Sequence, residues 1–124
     1  MSTEESEPEL DIHREDRRRC TVLHLVGNLG GEAPTRLRDE MVPAMRGRVS
    51  PCIVLDLQGV DTADLNGIAS LIAALKRLRS AGGRLMVAAT PQQVLRSLEE
   101  RRLDRPFDFY DDLAQALHMI ESSG

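Results

Sequence analysis

Two carboxylates lie three residues apart in the segment Asp61-Thr62-Ala63-Asp64, directly before an apolar stretch with helical spacing. An aspartate before a helix accepts hydrogen bonds from the free amides of the first turn, so we predict that Asp64 is an N-cap. The same helix start tolerates an added anion such as a phosphate. Two acids can also ligate Mg²⁺, but capping already employs Asp64 and no third acid is adjacent. The segment therefore predicts a binding site rather than a metal centre.

The residues that usually carry catalysis are scattered. His13, His24 and His118 fall on an early edge strand, a core strand and a terminal helix. The sequence contains no Ser-His-Asp order, no CxxC and no HExxH motif. His24 alternates with apolar neighbours, which indicates a structural or surface histidine. We therefore expect a protein that is not an enzyme and that uses no cofactor or metal.

A glycine-rich segment, Gly27-Asn28-Leu29-Gly30-Gly31, follows a predicted strand and precedes a predicted helix. Its spacing matches neither a P-loop nor a GxGxxG motif. Glycines of a tight turn are the simpler interpretation, and Gly27-Asn28 is predicted to end the strand. A small-ligand site, for instance for a nucleotide, stays open as an alternative.

Composition limits the classes of partner. The 124 residues suit one domain, the formal net charge is −4, and Phe107, Phe109 and Tyr110 are the only aromatic residues. A chain without a basic excess or dispersed aromatic platforms is not expected to bind nucleic acid. The apolar stretches are too short for a membrane span, and the N-terminus lacks a signal peptide, so we expect a cytoplasmic protein.

The two cysteines, Cys20 and Cys52, are too few for a disulfide framework and lack the spacing of metal ligands. Each lies at or near the start of an apolar run, which predicts buried free thiols. A thiol switch stays open, because sequence does not tell whether the two residues are close enough to pair.

Apolar runs and helical stripes alternate along the chain, in the order β-β-α-β-α-β-α-β-α. Such alternation predicts a mostly parallel sheet with helical crossovers and an antiparallel strand at its start. Residues 1–8 are predicted to be a disordered acidic tail, and residues 9–122 the folded domain. The predicted strands are 10–14, 20–26, 52–57, 84–89 and 107–110; the predicted helices are 33–46, 65–80, one that Thr90 caps and that ends near 101, and one from 113 that Asp111-Asp112 caps.

Three segments of this pattern resemble one known family, the STAS domain (sulfate transporter and anti-sigma factor antagonist). They are the strand-turn-helix from Ile53 to Arg77, the segment Gly82-Gly83-Arg84-Leu85, and the segment from Leu103 to Leu113. The resemblance extends from Leu10 to Ile120, and a free-standing chain of this length is similar to the bacterial anti-sigma factor antagonists. It implies an α/β, STAS-like domain with about five strands, an antiparallel N-terminal strand and four helices.

The resemblance also implies a mode of action, which is partner switching. Antagonists of this family bind an anti-sigma factor of the serine-kinase type and thereby free the sigma factor. The kinase then phosphorylates a Ser or Thr of an Asp-Ser-Ser/Thr-Gly turn, and the added negative charge disrupts the interface.

This chain departs from the family pattern at two places that serve the same function. The turn is Asp64-Leu65-Asn66-Gly67, so that Leu65 and Asn66 occupy the hydroxyl positions and neither accepts a phosphate. Gly30 stands where the family usually has an aspartate that is associated with the phosphorylation site. The usual switch is therefore expected to be absent, with Thr62 and Ser70 as the nearby hydroxyls that could replace it.

The expected role is an antagonist-like regulator that acts as a monomer or a weak homodimer and binds a serine-kinase-type anti-sigma factor or a related regulator. A nucleotide-binding module, a scaffold and a subunit of a lipid-transport complex remain alternatives. Leu65 either faces the core or offers an apolar contact, and sequence leaves both open. The predicted partner-binding residues are Asn28, Gly30, Asp61, Thr62, Asp64, Leu65, Asn66 and Gly67.

Overall fold

The computed structural model describes residues 9–122, so the tail predicted at residues 1–8 lies outside the described residues. One sheet has the strand order β1-β2-β3-β4-β5, with β1 antiparallel to β2 and all later pairs parallel. This confirms the predicted fold class. The strands are β1 Leu10–Asp16, β2 Thr21–Leu29, β3 Cys52–Ala63, β4 Arg84–Ala88 and β5 Asp108–Tyr110; the helices are α1 Ala33–Met45, α2 Leu65–Ser80, α3 Gln92–Glu100 and α4 Leu113–Ser122.

Helices cover both faces of the sheet, three on one face and one on the other. Residues of α1, α2 and α3 pack on one face in a large core that includes Leu23 and Leu55. The residues that precede these two in their strands, Val22 and Val54, point to the other face and pack with α4 in a smaller core. Both faces of β2 and β3 are buried in this part of the sheet, so successive residues of these strands are apolar. Nearly continuous apolar runs of this kind are typical of parallel sheets.

The strands β2 and β3 continue beyond their predicted ends, and both predicted turns there are wrong. Gly27-Asn28 and the residues after Leu57 remain in the sheet, with Asn28 opposite Thr62 and Leu29 opposite Ala63. Two register shifts interrupt this pairing. Such bulges let a strand continue through polar and glycine residues by adding a local twist, so turn-forming residue types do not end these strands.

One helix start differs from its prediction. Helix α1 contains Pro43 and ends at Met45, one residue before its predicted end, and a bend of its last turn at Pro43 stays a prediction. Thr90 was predicted to cap α3, which is wrong: Pro91 holds the N-cap position without a side-chain bond, and the hydroxyl of Thr90 is buried with no hydrogen-bond partner among the described residues. At α4 the predicted cap is confirmed, since Asp112 Oδ1 accepts from the Gln115 amide at 2.9 Å.

Candidate partner-binding site

The junction of β3 and α2 is organised around Asp64. Its Oδ1 accepts a hydrogen bond from the Gly67 amide at 3.1 Å, which confirms the predicted N-cap. Its own amide donates to the Leu29 carbonyl oxygen at 3.2 Å. Asp64 therefore fixes the start of α2 to the end of β2.

Two glycines make this close approach possible. A β-carbon on Gly67 would overlap the backbone carbonyl of Leu29, so α2 could not lie against β2 with any larger residue here. A β-carbon on Gly30 would overlap the carboxylate of Asp64. The missing side chain at position 30 therefore leaves the space that the capping carboxylate of Asp64 occupies.

Two of the nearby hydroxyls already have partners. Thr62 is exposed, and its Oγ1 donates to Asn28 Oδ1 at 2.9 Å across the extended ends of β2 and β3. Ser70 is 1% exposed, and its Oγ donates to the Gly67 carbonyl oxygen at 2.6 Å. Of these two hydroxyls, only that of Thr62 is open to an enzyme in the folded chain.

The first residue of α2 resolves a question that the sequence left open. Leu65 is 62% exposed, so it presents its apolar side chain to solvent rather than to the core. Beside it lies a groove of about 310 Å³ between α2 and α3. Its lining residues are Ala63, Asp64, Leu65, Ile68, Gln93, Val94 and Ser97. Ile68 and Val94 are buried, and their helical spacing predicts core positions without any signal that they also border an open groove.

The structure brings the predicted site residues together. Asn28, Gly30 and the segment 61–67 lie at the carboxyl ends of β2 and β3, where open α/β sheets usually place their sites. Asp61, Asp64 and Asn66 are exposed, whereas Gly30 and Gly67 are buried. The two buried glycines therefore act through packing, and the exposed residues with Leu65 form the surface that a partner can touch.

The glycine segment does not form an open phosphate loop. Gly27 and Asn28 belong to β2, and the space beside Gly30 is filled by the carboxylate of Asp64. A phosphate here would meet Asp64 and the exposed acids Glu32 and Asp61. These features disfavour a polyanionic ligand such as a nucleotide at this segment.

A second polar cluster, which sequence reasoning missed, surrounds His24 on the α4 side of the sheet. Its Nδ1 lies 2.8 Å from Asp56 Oδ2 and its Nε2 lies 2.9 Å from Glu15 Oε1. Burial acts to lower the pKa of His24, but the hydrogen bonds to the two carboxylates outweigh it and raise the pKa. Hydrogen bonds from His24 and from Arg17 lower the pKa of Glu15. The available sequence signal for this cluster was that His24 in β2 and Asp56 in β3 are polar residues between apolar neighbours.

The cysteines sit beside each other at the start of neighbouring strands. Cys20 precedes Thr21, Cys52 precedes Ile53, and these followers are paired across β2 and β3. Cys20 is buried, Cys52 is half-buried, and both are free thiols. Burial raises the pKa of Cys52 to about 11 and also raises that of Cys20. Thiols with raised pKa are poor nucleophiles at neutral pH.

Within residues 9–122, no three His, Cys, Asp or Glu side chains are grouped so that they could hold a metal ion. None of the helices in this described part combines the length and the apolar character that a membrane crossing requires.

Comparison with known proteins places this fold and site in context. A family model described as "Mlab, STAS domain" matches residues 12–118. The anti-sigma F factor antagonist of Paenibacillus polymyxa is 27% identical over 112 residues, which cover 90% of this chain and 96% of that protein.

Solved structures share the architecture at lower identity. A candidate anti-sigma factor antagonist of Thermotoga maritima has a TM-score of 0.77 and 20% identity, over 89% of this chain and 94% of that one. Unphosphorylated SpoIIAA has a TM-score of 0.67 and 17% identity, over 92% and 99%. The phosphorylated form, from Bacillus, has a TM-score of 0.70 at 17% identity, over 89% and 99%.

The mixed five-stranded sheet and the capped β3–α2 junction thus define a SpoIIAA-like α/β domain. Since the family model covers most of the chain, the protein belongs to the STAS domain family.

Proposed function

We propose that this protein is a regulator of the anti-sigma factor antagonist type, without enzymatic activity, that docks an anti-sigma factor through the first turn of α2. The observation that carries the proposal is the exposure of Leu65 next to a groove bordered by Ile68 and Val94. An apolar side chain beside an open groove and a polar rim has the composition of an interface centre. The antagonist from Paenibacillus polymyxa, which matches along nearly its whole length, supports the kind of partner.

The proposed docking does not depend on a phosphoryl group. Leu65 and Asn66 stand at the hydroxyl positions of the family turn, and the hydroxyl of Ser70 is buried. Thr62 is exposed but belongs to the end of β3, before the cap. The partner is therefore released by competition or by turnover of either protein rather than by phosphorylation of α2.

The description of the family model favours a second candidate, a STAS subunit of a larger assembly such as the lipid-transport complex that the resemblance leaves open. Such a subunit would use the same surface of α2 against a different protein. The identity of the bound partner distinguishes the two candidates.

Affinity capture from the native cell tests the proposal with three baits: the natural chain, Leu65→Glu and Val42→Glu. Val42 is the matched control, because it is an exposed aliphatic residue of α1 and does not line the groove. We expect an anti-sigma factor to bind the natural chain and Val42→Glu but not Leu65→Glu. Retention of every captured protein by Leu65→Glu would refute docking at α2.

A further inference from the structure

Basic residues are concentrated at one edge of the sheet. Four chain segments lead into the amino ends of β2, β3, β4 and β5. We call these four segments together the basic edge; they are residues 17–20, 46–51, 76–84 and 101–107. They contain three, two, four and three basic residues, respectively, which is 12 of the 16 in the chain, and a single acid, Asp104. The net charge of −4 conceals this accumulation.

The opposite edge has the reverse composition. The carboxyl ends of the same strands continue into residues 30–32, 61–64, 89–92 and 111–112, which contain five acids and no basic residue. Asp64 and the proposed docking surface belong to this acidic edge. The segments that enter the parallel strands and those that leave them therefore have opposite net charge.

Contacts between the entering segments make the basic edge one surface. The Arg84 amide donates to the Pro51 carbonyl oxygen at 2.8 Å, which joins the second segment to the third. Arg79 Nη2 donates to the Pro106 carbonyl oxygen at 3.3 Å, which joins the third to the fourth. Thr21 pairs with Ile53 across β2 and β3, which brings the end of the first segment beside the end of the second.

Much of this charge has no nearby counterion. Arg17 pairs with Glu15 and Glu121, and Arg84 pairs with Asp108. Within residues 9–122, no carboxylate oxygen lies within 4.0 Å of five exposed arginines of the edge, which are Arg18, Arg46, Arg48, Arg102 and Arg105. Cations near helix C-termini are favoured by the helix dipole, but this does not account for the hairpin residues 17–19, which follow a strand. An unbalanced, exposed charge of this kind attracts polyanions.

One apolar side chain projects from this cationic surface. Val49 is 95% exposed, although it is an aliphatic residue that gains by leaving water. Gly47 and Ser50, on either side, have φ angles of 77° and 54°, so the chain turns sharply around this tip. Arg48 is its direct neighbour. An apolar tip between cations suits the boundary of a bilayer, where the cations meet phosphates and the apolar group meets acyl chains.

Other polyanions fit the surface less well. Phe107 is the one aromatic residue of the basic edge and is buried, so no ring is offered for stacking on bases. A soluble acidic protein would match the charges, whereas a bilayer offers phosphates and acyl chains side by side, which match the cations and Val49 together.

We propose that the basic edge docks on the anionic headgroups of a lipid bilayer, with Val49 at the level of the headgroups. In this orientation the acidic edge, with Asp64 and Leu65, faces away from the membrane and stays open to a protein partner. Membrane docking is separate from the proposed function, because the two surfaces lie at opposite ends of the strands.

Co-sedimentation of the full chain with lipid vesicles tests the proposal. We expect binding to vesicles of phosphatidylcholine with phosphatidylglycerol, no binding to phosphatidylcholine alone, and release by added salt. Since a basic residue near an anionic surface contributes about fivefold to binding, Arg46→Glu/Arg48→Glu is expected to weaken it roughly 25-fold or more. Arg102→Glu/Arg105→Glu is an independent variant with the same expectation, and Val49→Ser is expected to weaken binding several-fold.

The matched control is Arg38→Glu/Arg96→Glu, which changes the net charge equally on exposed helix positions outside the edge. Thermal melts by circular dichroism establish that all variants are folded. The proposal is overturned by absence of binding to anionic vesicles at low salt, or by equal losses in control and edge variants. Preference for polyglutamate or duplex DNA over vesicles would also overturn it and assign the edge to a soluble polyanion.

Discussion

The carboxylate of Asp64 occupies the space that a β-carbon at position 30 would need, so that Gly30 and the cap of α2 depend on each other. The hydrogen bond from the Gly67 amide holds this carboxylate in place. The resemblance to the antagonists implies an aspartate at position 30 in phosphorylatable relatives. In this chain any side chain at position 30 would meet the carboxylate of Asp64.

The first prediction concerns this pair. We expect Gly30→Ala to lower the free energy of unfolding by about 1–3 kcal/mol, because the new methyl group displaces the capping carboxylate. Gly30 does not have a positive φ, so backbone strain adds nothing to the loss. Urea denaturation followed by circular dichroism measures the difference.

Asp64→Ser provides the control for that prediction, because serine also caps helices but has a shorter side chain. In this background Gly30→Ala should cost clearly less than in the natural chain. If the two changes are simply additive, the proposed contact between the two positions is wrong.

The second prediction concerns the approach of α2 to β2. Gly67→Ala places a methyl group on the Leu29 carbonyl, and backbone atoms on both sides leave it no room. We expect a loss of about 3 kcal/mol or more, at the upper end for overpacking. The neighbouring exposed Asn66 is the control, and Asn66→Ala should change stability by less than about 0.5 kcal/mol. Similar urea midpoints for the two variants would contradict the packing described here.

The third prediction is a pH dependence carried by His24. Its pKa is raised in the folded chain, so its contribution is complete below the unfolded pKa of 6.5 and is lost as the pH rises through the folded pKa. The natural chain should therefore lose stability relative to His24→Gln between about pH 6 and pH 8. Urea midpoints of both chains across this range give the difference.

Glu15→Gln serves as the control for this pH dependence. Removal of one carboxylate beside the ring should reduce the effect, because the amide no longer stabilises the protonated imidazole by charge. A difference between natural and His24→Gln chains that does not vary with pH would contradict the assigned contacts.

The fourth prediction concerns the buried hydroxyl of Thr90, which has no hydrogen-bond partner among the described residues. Thr90→Val removes the unpaired polar group at nearly constant shape, so we expect unchanged or slightly increased stability, by up to about 1 kcal/mol. Thr90→Ser keeps the hydroxyl, loses the methyl group and should be less stable than Thr90→Val. A clear loss of stability in Thr90→Val would contradict this account, because it would show that the hydroxyl makes a stabilising hydrogen bond.

Periodicity and capping residues predicted most of this fold. The stripe from Ile68 to Leu78 gave the bounds of α2 without error, because its core face, its cap and its terminal glycines all agree. The predicted end of β2 at Val26 was wrong, since a bulge lets Gly27 and Asn28 remain in the sheet. Glycine and asparagine favour a turn, but the backbone remains in the sheet where a neighbouring strand continues to pair with it.

The sequence predicts which residues gather at the β3–α2 junction but not the contacts between them. The turn from Asp61 to Gly67 was identified from its acids and its position after a strand. The bond between Asn28 and Thr62 and the packing of Gly30 on Asp64 join positions that lie 34 residues apart. Such contacts depend on strand register, which local patterns do not contain. The apolar stripe of α2 likewise does not tell that Leu65 is exposed.

The most direct test of the central claim is the rate at which the captured anti-sigma factor leaves this chain with and without ATP. Leu65 and Asn66 stand at the hydroxyl positions of the family turn and accept no phosphate, so we predict the same dissociation rate in both conditions and no increase in the mass of the chain. Faster dissociation with ATP, together with the added mass of one phosphoryl group that Thr62→Val abolishes, would contradict the account.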